Sequence, residues 1–532
     1  NGSRFDAIEV LFSILAQDCL PDDVLKSNGK YITFTWKNLV FRDSCLITMS
    51  SLKSAGVCYG LETPKGSLPH KYLQNCESEQ QVLDRLHGCV TWRQLEPYMD
   101  WFAETEKEEM QKRVVGRSWE EWRDQQPLRI EWQQNKDKPA FSFYEEMSSY
   151  LTKDVDVLYE LVAKMGAQKA ADYGADIRKK CTLGSIADHI WGHMLLKPIP
   201  KLMSEEDHNL WQNCNRGGFC GPLSEFDVTA TGDQYIYKVD VTSLYPASAM
   251  PIEFETSAGV QKPLERWYQG FPHPSKGWQD RDFGGAEMTT ALDQELIPML
   301  GRVWVRFNQS HLKFPVLLKK LEQKSWGALT YVLEGEEWYT VPQIRQAFHY
   351  GVKIQLFEAR YTTESCEPFK DYMSHFAVEK NKCDGILADL KEKKKKFGQL
   401  TPEERDLKAK TDFQRSECKL MLNALLGKKN QKIDRAQTVL TKSENDAITL
   451  IADQRSYRDV DIEEIKCGDH SALRCTFKEG TYQDHLDSFD VAPHLSGYML
   501  GYSKMLMVVS FQFLVIIESL PLYTDTDSIA FL

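Results

Sequence analysis

The chain has 532 residues, with 65 Lys and Arg against 77 Asp and Glu, a formal net charge of −12. That length holds several domains, and that charge excludes a protein drawn to nucleic acid by its overall field; such contacts must come from local basic clusters. The thirteen cysteines form no C-x-x-C pair and no Cys/His spacing of a zinc site, with Cys214 and Cys220 the nearest to one. Scattered thiols suit a reducing compartment inside a cell, nucleus or cytoplasm. No apolar run reaches transmembrane length, and no membrane partner is expected. No signal peptide is visible, and both ends read as cut from a longer protein: Asn1 is not Met, and the last residues fall inside a strand.

In chain order, the stretch from Trp92 to Trp132 is rich in Trp, Glu and Arg. Trp119 and Trp122 have helical spacing, and such a stripe is more often packing surface than a base-stacking platform. Tyr150 and Asp154 lie one helical turn apart and share a face, as they also would on an ordinary amphipathic helix. Gly217-Gly218, after Arg216, permits close approach of a phosphate backbone, although a Gly pair usually marks a turn. From Gln234 to Asp240 polar and apolar residues alternate, the period of a half-buried strand, and Pro246 stops it. The stretch Asp240-Val241-Thr242-Ser243-Leu244-Tyr245-Pro246 therefore places a carboxylate at a strand tip before a tight turn. That is a good place to hold a metal ion, and equally the look of an acidic loop.

Short β-like runs follow, Gly301–Phe307 and Leu329–Leu333. Residues 371–428 read as a helical hairpin. Its first helix ends near Gly398, and Thr401-Pro402-Glu403-Glu404 opens the second, with Thr as N-cap and Pro at the first helical position. On that helix Lys408, Arg415, Lys419 and Asn423 fall on one face, a cationic stripe suited to a triphosphate. The run Lys391 to Lys396 reads as a face turned to water. Finally, Tyr523-Thr524-Asp525-Thr526-Asp527-Ser528 lies between the apolar runs Phe511–Ile517 and Ile529–Leu532, which reads as strand, acidic turn, strand. Two carboxylates one residue apart repel each other unless a cation or donors compensate.

Asp240 to Pro246, Lys419-Leu-Met-Leu-Asn423-Ala-Leu-Leu426-Gly427 and Tyr523 to Ser528 together resemble motifs A, B and C of the family B DNA polymerases (DxxSLYP, KxxxNSxYG and YxDTDS), in that order. The resemblance extends upstream. Asn1-Gly-Ser-Arg-Phe5-Asp6 is similar to the second exonuclease motif and Tyr150 with Asp154 to the third. Phe41-Arg-Asp43-Ser44 and Thr63 to His70 look like segments of the protein-primed subgroup, with Lys65 at its exonuclease lysine. Arg216-Gly217-Gly218 looks like the element joining the exonuclease and polymerase regions, although Asn215 replaces its Tyr. Leu426 likewise replaces the Tyr of motif B, which puts nucleotide selection in question.

The resemblance implies an α+β, multidomain fold: a ribonuclease-H-like 3′–5′ exonuclease followed by a right-hand polymerase. The implied division is 1–175 exonuclease, 176–250 linker and palm with motif A, 251–369 an insertion of terminal-protein-region-1 type with palm strands, 370–430 fingers, and 431–532 a second insertion and palm with motif C. Thumb and first exonuclease motif would lie outside the chain. The implied activity is DNA-directed DNA synthesis with a proofreading exonuclease. Two Mg2+, which Mn2+ can replace, would be held by Asp240, Asp525, Asp527 and the carbonyl of Val241. A second metal pair would be held by Asp6 and Asp154, with Tyr150 and Lys65 in the exonuclease site. Val241, Ser243, Leu244, Tyr245, Arg415, Lys419, Asn423 and Leu426 would contact the nucleotide. Asn1, Phe5, Ser44, Arg216, Gly217, Gly218, Gly427, Tyr523 and Thr526 would contact DNA. The implied partners are primer-template DNA, deoxynucleoside triphosphates and a terminal priming protein; the competing readings are a nucleic-acid-primed relative and an inactive DNA-binding one.

Overall fold

The computed structural model describes residues 10–11, 13–14, 17, 19–21, 23–27, 30–61, 68–100, 111, 118–180, 182–195, 197–202, 204–214, 217–223, 229–232, 234–250, 264–320, 329–431, 433, 436–453, 458–467, 470–478, 484, 491–519 and 521–532. Asn1, Phe5, Asp6, Lys65, Asn215 and Arg216 lie outside them.

Strands β1 (Asp23–Ser27), β2 (Lys30–Trp36) and β3 (Leu39–Arg42) come first. Helix α1 (Phe143–Tyr173) is followed by β4 (Phe219–Pro222), β5 (Tyr237–Asp240) and the short helix α2 (Leu244–Ala249). Next come β6 (Gln279–Glu287), β7 (Leu300–Asn308), β8 (Glu334–Thr340), α3 (Val341–His349) and β9 (Lys353–Thr362). Helices α4 (Lys370–Phe397) and α5 (Pro402–Lys429) form the expected hairpin. Strands β10 (Gln437–Thr441), β11 (Arg458–Cys467) and β12 (His470–Lys478) precede helix α6 (Pro493–Ile516), and β13 (Pro521–Thr526) with β14 (Ser528–Phe531) close the chain.

The chain divides into two compact units, one of Asn1–Met49, Asp172–Glu392 and Gln414–Leu532, the other of Ser50–Ala171 and Lys393–Phe413. In the first, a six-stranded sheet has the order β11-β12-β10-β1-β2-β3. Val24 pairs with Thr438 in it. Strands from residues 23–42 and 437–478 thus share one sheet. Alternation marks a strand but does not name its partner. A four-stranded sheet, β8-β7-β9-β6, lies within the 251–369 stretch, and another, β4-β13-β14-β5, brings the Asp240 stretch beside the Tyr523–Ser528 stretch.

These two sheets share a core. Val303, Val305, Ile344 and Leu356 pack with Met507, Val508, Phe511 and Leu514 of α6, and with Leu244 and Ile529 beside the acidic motifs. Helix α6 corrects two expectations. The run Phe511–Ile517 is not a strand; Phe511 to Ile516 form the end of this 24-residue helix, and the strand before the acidic turn is β13. In this run the buried Phe511 and Leu514 and the exposed Phe513 and Ile516 are all apolar, so the period that distinguishes helix from strand is lost. By length and composition α6 could also cross a membrane. Tyr498, Tyr502 and Met505, each at most 1% exposed, mark it instead as a core helix.

In the second unit, Leu68, Val90, Trp92, Leu95, Met99, Trp132, Phe143 and Tyr150 form the core. Trp132 Nε1 donates to the carbonyl of Trp92 at 2.8 Å, and Trp119 stacks on Trp122 at 5.1 Å. The Trp-rich stretch is packing. At the start of α5 the N–H of Glu404 donates to Thr401 Oγ1 at 3.2 Å, and that of Thr401 to Glu404 Oε2 at 3.1 Å, the reciprocal cap that the sequence predicts.

Candidate active site

The site is built on the sheet β4-β13-β14-β5. Asp525 and Ser528 are register partners across the β13–β14 hairpin, which leaves Thr526 and Asp527 at its tip. Thr526 has φ +58°, an unfavourable conformation for a β-branched residue. The turn is held by the N–H of Asp527 donating to the carbonyl of Asp525 at 2.7 Å and by Thr524 Oγ1 donating to the carbonyl of Ser528 at 2.9 Å. On one side, β14 pairs with β5 so that Ser528 faces Asp240. On the other, β13 pairs with β4, and Asp525 faces Cys220. Motifs A and C are thereby brought together.

Three charges converge on Asp527. Burial raises its carboxyl above the ordinary carboxylate value; Asp240 and Asp525 raise it further, against the pull of its own backbone hydrogen bond and of Lys419. Asp240 and Asp525 themselves are exposed. After Asp240, Ser243 takes φ 56° and ψ 50° and turns the chain into α2. Leu244 enters the core at 2% exposure, and Val241 packs against it. Tyr245 is half-buried; burial first, then Asp527 and Cys220, raise its hydroxyl above the ordinary tyrosine value. Among the described residues no three His, Cys, Asp or Glu side chains converge into a closed metal cage. The donor set is nonetheless that of a hard cation: carboxylate oxygens, mutually repelling, at neighbouring positions of one sheet.

Helix α5 contributes unevenly. Lys419, Asn423 and Gly427 are exposed. Arg415 is held by Asp384 of α4, a carboxylate that it shares with Lys380 at 2.8 Å. Leu426 is 9% exposed and sits among packed side chains rather than on an open wall. Lys408 pairs with Asp412 along the helix. Sequence reasoning weighed Cys220 only for zinc, missing its place beside Asp525, and did not single out Asp384. The Lys380–Asp384 spacing of four was a readable signal for the second; nothing local pointed to the first.

Tyr150 and Asp154 share a face of α1 as expected. Tyr150 is 9% exposed, and its hydroxyl is pushed up to about 12, by burial first and then by a hydrogen bond with Asp154. The ring of His70 stands edge-on to Tyr150 at 5.4 Å. Asp6 and Lys65, the other expected members, lie outside the described residues. Ser44 opens the helix Cys45–Thr48, its carbonyl accepting from Ile47 and Thr48 at 3.0 and 2.9 Å. Gly217 and Tyr523 are exposed.

The sequence model of DNA polymerase type B, organellar and viral, matches residues 1–478. The chain belongs to that family. It is similar in structure to phi29 DNA polymerase complexed with primer-template DNA and incoming nucleotide substrates, at 14% identity and a TM-score of 0.51, over 96% of this chain and 66% of that one. The orthorhombic form of phi29 DNA polymerase matches at 14% identity and a TM-score of 0.49, over 96% of this chain and 65% of that one, and the complex with single-stranded DNA at 15%, 0.48, 96% and 65%. This chain thus spans about two thirds of the phi29 polymerase's length. The fold it shares with the ternary complex is the expected one, mixed helix and sheet in several domains. No curated protein matches the chain in sequence.

Proposed function

We propose that this protein is a DNA-directed DNA polymerase, protein-primed, that joins nucleotides at Asp240, Asp525 and Asp527 and proofreads through a 3′–5′ exonuclease containing Tyr150 and Asp154. The observation that carries the reading is the convergence on Asp527 of Asp240 from β5 and Lys419 from α5. Carboxylates that repel each other, faced by one lysine, match a reaction in which metal ions and a triphosphate meet.

The three aspartates and the Val241 carbonyl would hold two Mg2+. Bound there, the ions supply the charge that activates a priming hydroxyl and stabilises the pyrophosphate leaving group. The chain's own residues position and neutralise. Asp240 and Asp527 are fixed by the strand pairing, Lys419 offers its exposed ammonium to the triphosphate, and Tyr245 packs under the sugar and excludes a 2′-hydroxyl by bulk. The acceptor is the 3′-OH of a primer or a hydroxyl on a terminal protein. The β8-β7-β9-β6 sheet, inserted between motif A and the fingers, supports the protein-primed form. In this proposal the exonuclease occupies 1–175, the fingers 370–430, and the protein works inside a cell on primer-template DNA.

The test is metal-dependent incorporation by the full-length protein. Asp240→Ala and Asp527→Ala should each abolish nucleotide addition with the circular dichroism spectrum unchanged; near-parental incorporation by either refutes the assignment. Attachment of the first nucleotide to a protein hydroxyl rather than to a DNA primer separates protein priming from the nucleic-acid-primed form.

A further inference from the structure

Strand β4 and Gly218 just before it touch the acidic hairpin in two ways. The first is steric. A Cβ at Gly218 would lie 2.9 Å from Thr526 Cγ2 and 3.0 Å from Thr526 Cα. The second contact involves backbone, which cannot swing aside, so only glycine admits the hairpin tip here. The second way is polar. Cys220 Sγ lies 3.4 Å from Asp525 Oδ1 and 3.3 Å from Thr526 Oγ1. A carboxylate only accepts, so the thiol proton goes to Asp525; the thiol has one proton, so Thr526 O–H donates to sulfur. Cys220 therefore links the strained threonine at the tip to the carboxylate beside it, from the register position directly opposite Asp525.

We propose that Cys220 is a positioning residue for nucleotidyl transfer: its thiol fixes the Asp525 carboxylate and the tip of the hairpin in the orientation that receives metal, with Gly218 supplying the room. This rests on the polymerase reading above. It assigns to the Gly217-Gly218 segment a task inside the active site, apart from any contact with DNA. A thiol is a weak donor, yet a hydrogen bond to a charged acceptor is stronger than a neutral one. The effect belongs in the step that needs Asp525 aligned, with nucleotide affinity left alone.

The experiment compares Cys220→Ala and Cys220→Val, which remove the donor with less or similar volume, with Cys220→Ser, which keeps a hydroxyl donor. Nucleotide addition is measured together with Mn2+ binding, the latter from the paramagnetic resonance signal of free Mn2+ and so independent of turnover. The expected result is a tenfold fall in kcat for Ala and Val, nucleotide KM within twofold of the parent, and Mn2+ affinity lowered several-fold; Ser restores kcat and Mn2+ affinity to within threefold. Parental kcat and Mn2+ affinity in both Ala and Val overturn the proposal. So does a Ser variant that falls as far as they do, since packing alone would then explain the loss. If Ala fails to melt cooperatively, Val stands in for it. The parent must incorporate nucleotide and Asp527→Ala must not; failure of that control sinks the polymerase reading, whereas normal Ala and Val variants in an active parent sink only the role of Cys220.

Discussion

The backbone N–H of Val241 donates to the carbonyl oxygen of Asp527 at 2.6 Å. This bond extends the β5–β14 pairing by one step, past Asp240, to the hairpin tip. It ties the first acidic motif to the last through main chain, so side-chain substitutions nearby can change chemistry without unfastening the site.

Tyr245 follows from that frame. It is half-buried beside Asp527 and sits on a helix whose neighbours Leu244, Pro246 and Ala247 are buried. Tyr245→Val should admit ribonucleotides, because the space of the ring opens, whereas Tyr245→Phe should remain selective. Competition between ribo- and deoxynucleotides in single-addition assays measures this. Equal discrimination by the Val variant and the parent would make Tyr245 a packing residue only.

Helix α5 offers an asymmetric test. Lys419 is exposed and acts on Asp527, while Arg415 is paired with Asp384. Lys419→Ala should raise the nucleotide KM about tenfold, a loss of about 1.4 kcal/mol. Arg415→Ala should raise it less than threefold. Similar effects from the two variants would mean that the Arg415–Asp384 pair opens when nucleotide binds.

The proposed exonuclease is tested at Asp154. Asp154→Ala in the full-length protein should lower degradation of single-stranded 3′ ends by orders of magnitude and spare incorporation. Loss of both activities together would show that the two sites are not separate.

A fourth expectation concerns acid stability. His494 lies on α6, wholly buried, edge-on to Trp278 at 6.1 Å, and neither ring nitrogen has a hydrogen-bond partner among the described residues. Burial first, then His273 and Lys429, lower its value from 6.5 to about 3. The unfolded chain therefore binds this proton more tightly than the native one. Stability falls as pH drops below 6.5, by about 2 kcal/mol at pH 5, and the loss is complete below about 3. Denaturant titrations at pH 7 and pH 5 should show that gap, and His494→Phe should narrow it. A gap of the same size in the variant would place the acid sensitivity elsewhere, His208 being the next candidate because burial lowers it in the same direction, to about 4.

What the sequence made legible was local. Asp240 at a strand tip, the hairpin around Asp525 and Asp527, the Thr401 cap and the shared face of Tyr150 and Asp154 each depend on spacing within a few residues. What it hid was pairing at a distance. Val24 opposite Thr438, Cys220 opposite Asp525 and Arg415 against Asp384 leave no mark in either segment alone. The misreading of Phe511–Ile517 has a different source: Phe513 and Ile516 are apolar although exposed, so the run carries no polar face to betray its period. Leu426 falls between these cases. The motif located it, but only the packing shows it at 9% exposure, so Leu426→Tyr is more apt to crowd its neighbours than to reach a base.

Helix α6 has a consequence for how the chain is made. Its partners Val303, Val305, Ile344 and Leu356 all precede it in sequence. On the ribosome, this part of the surface that shelters α6 emerges first, and the oily helix leaves the tunnel with most of its berth already synthesised, Ile529 following it. Reverse that order, by circular permutation or by expressing residues 491–532 alone, and the same helix would meet water, chaperones or a lipid bilayer before it met its own sheet.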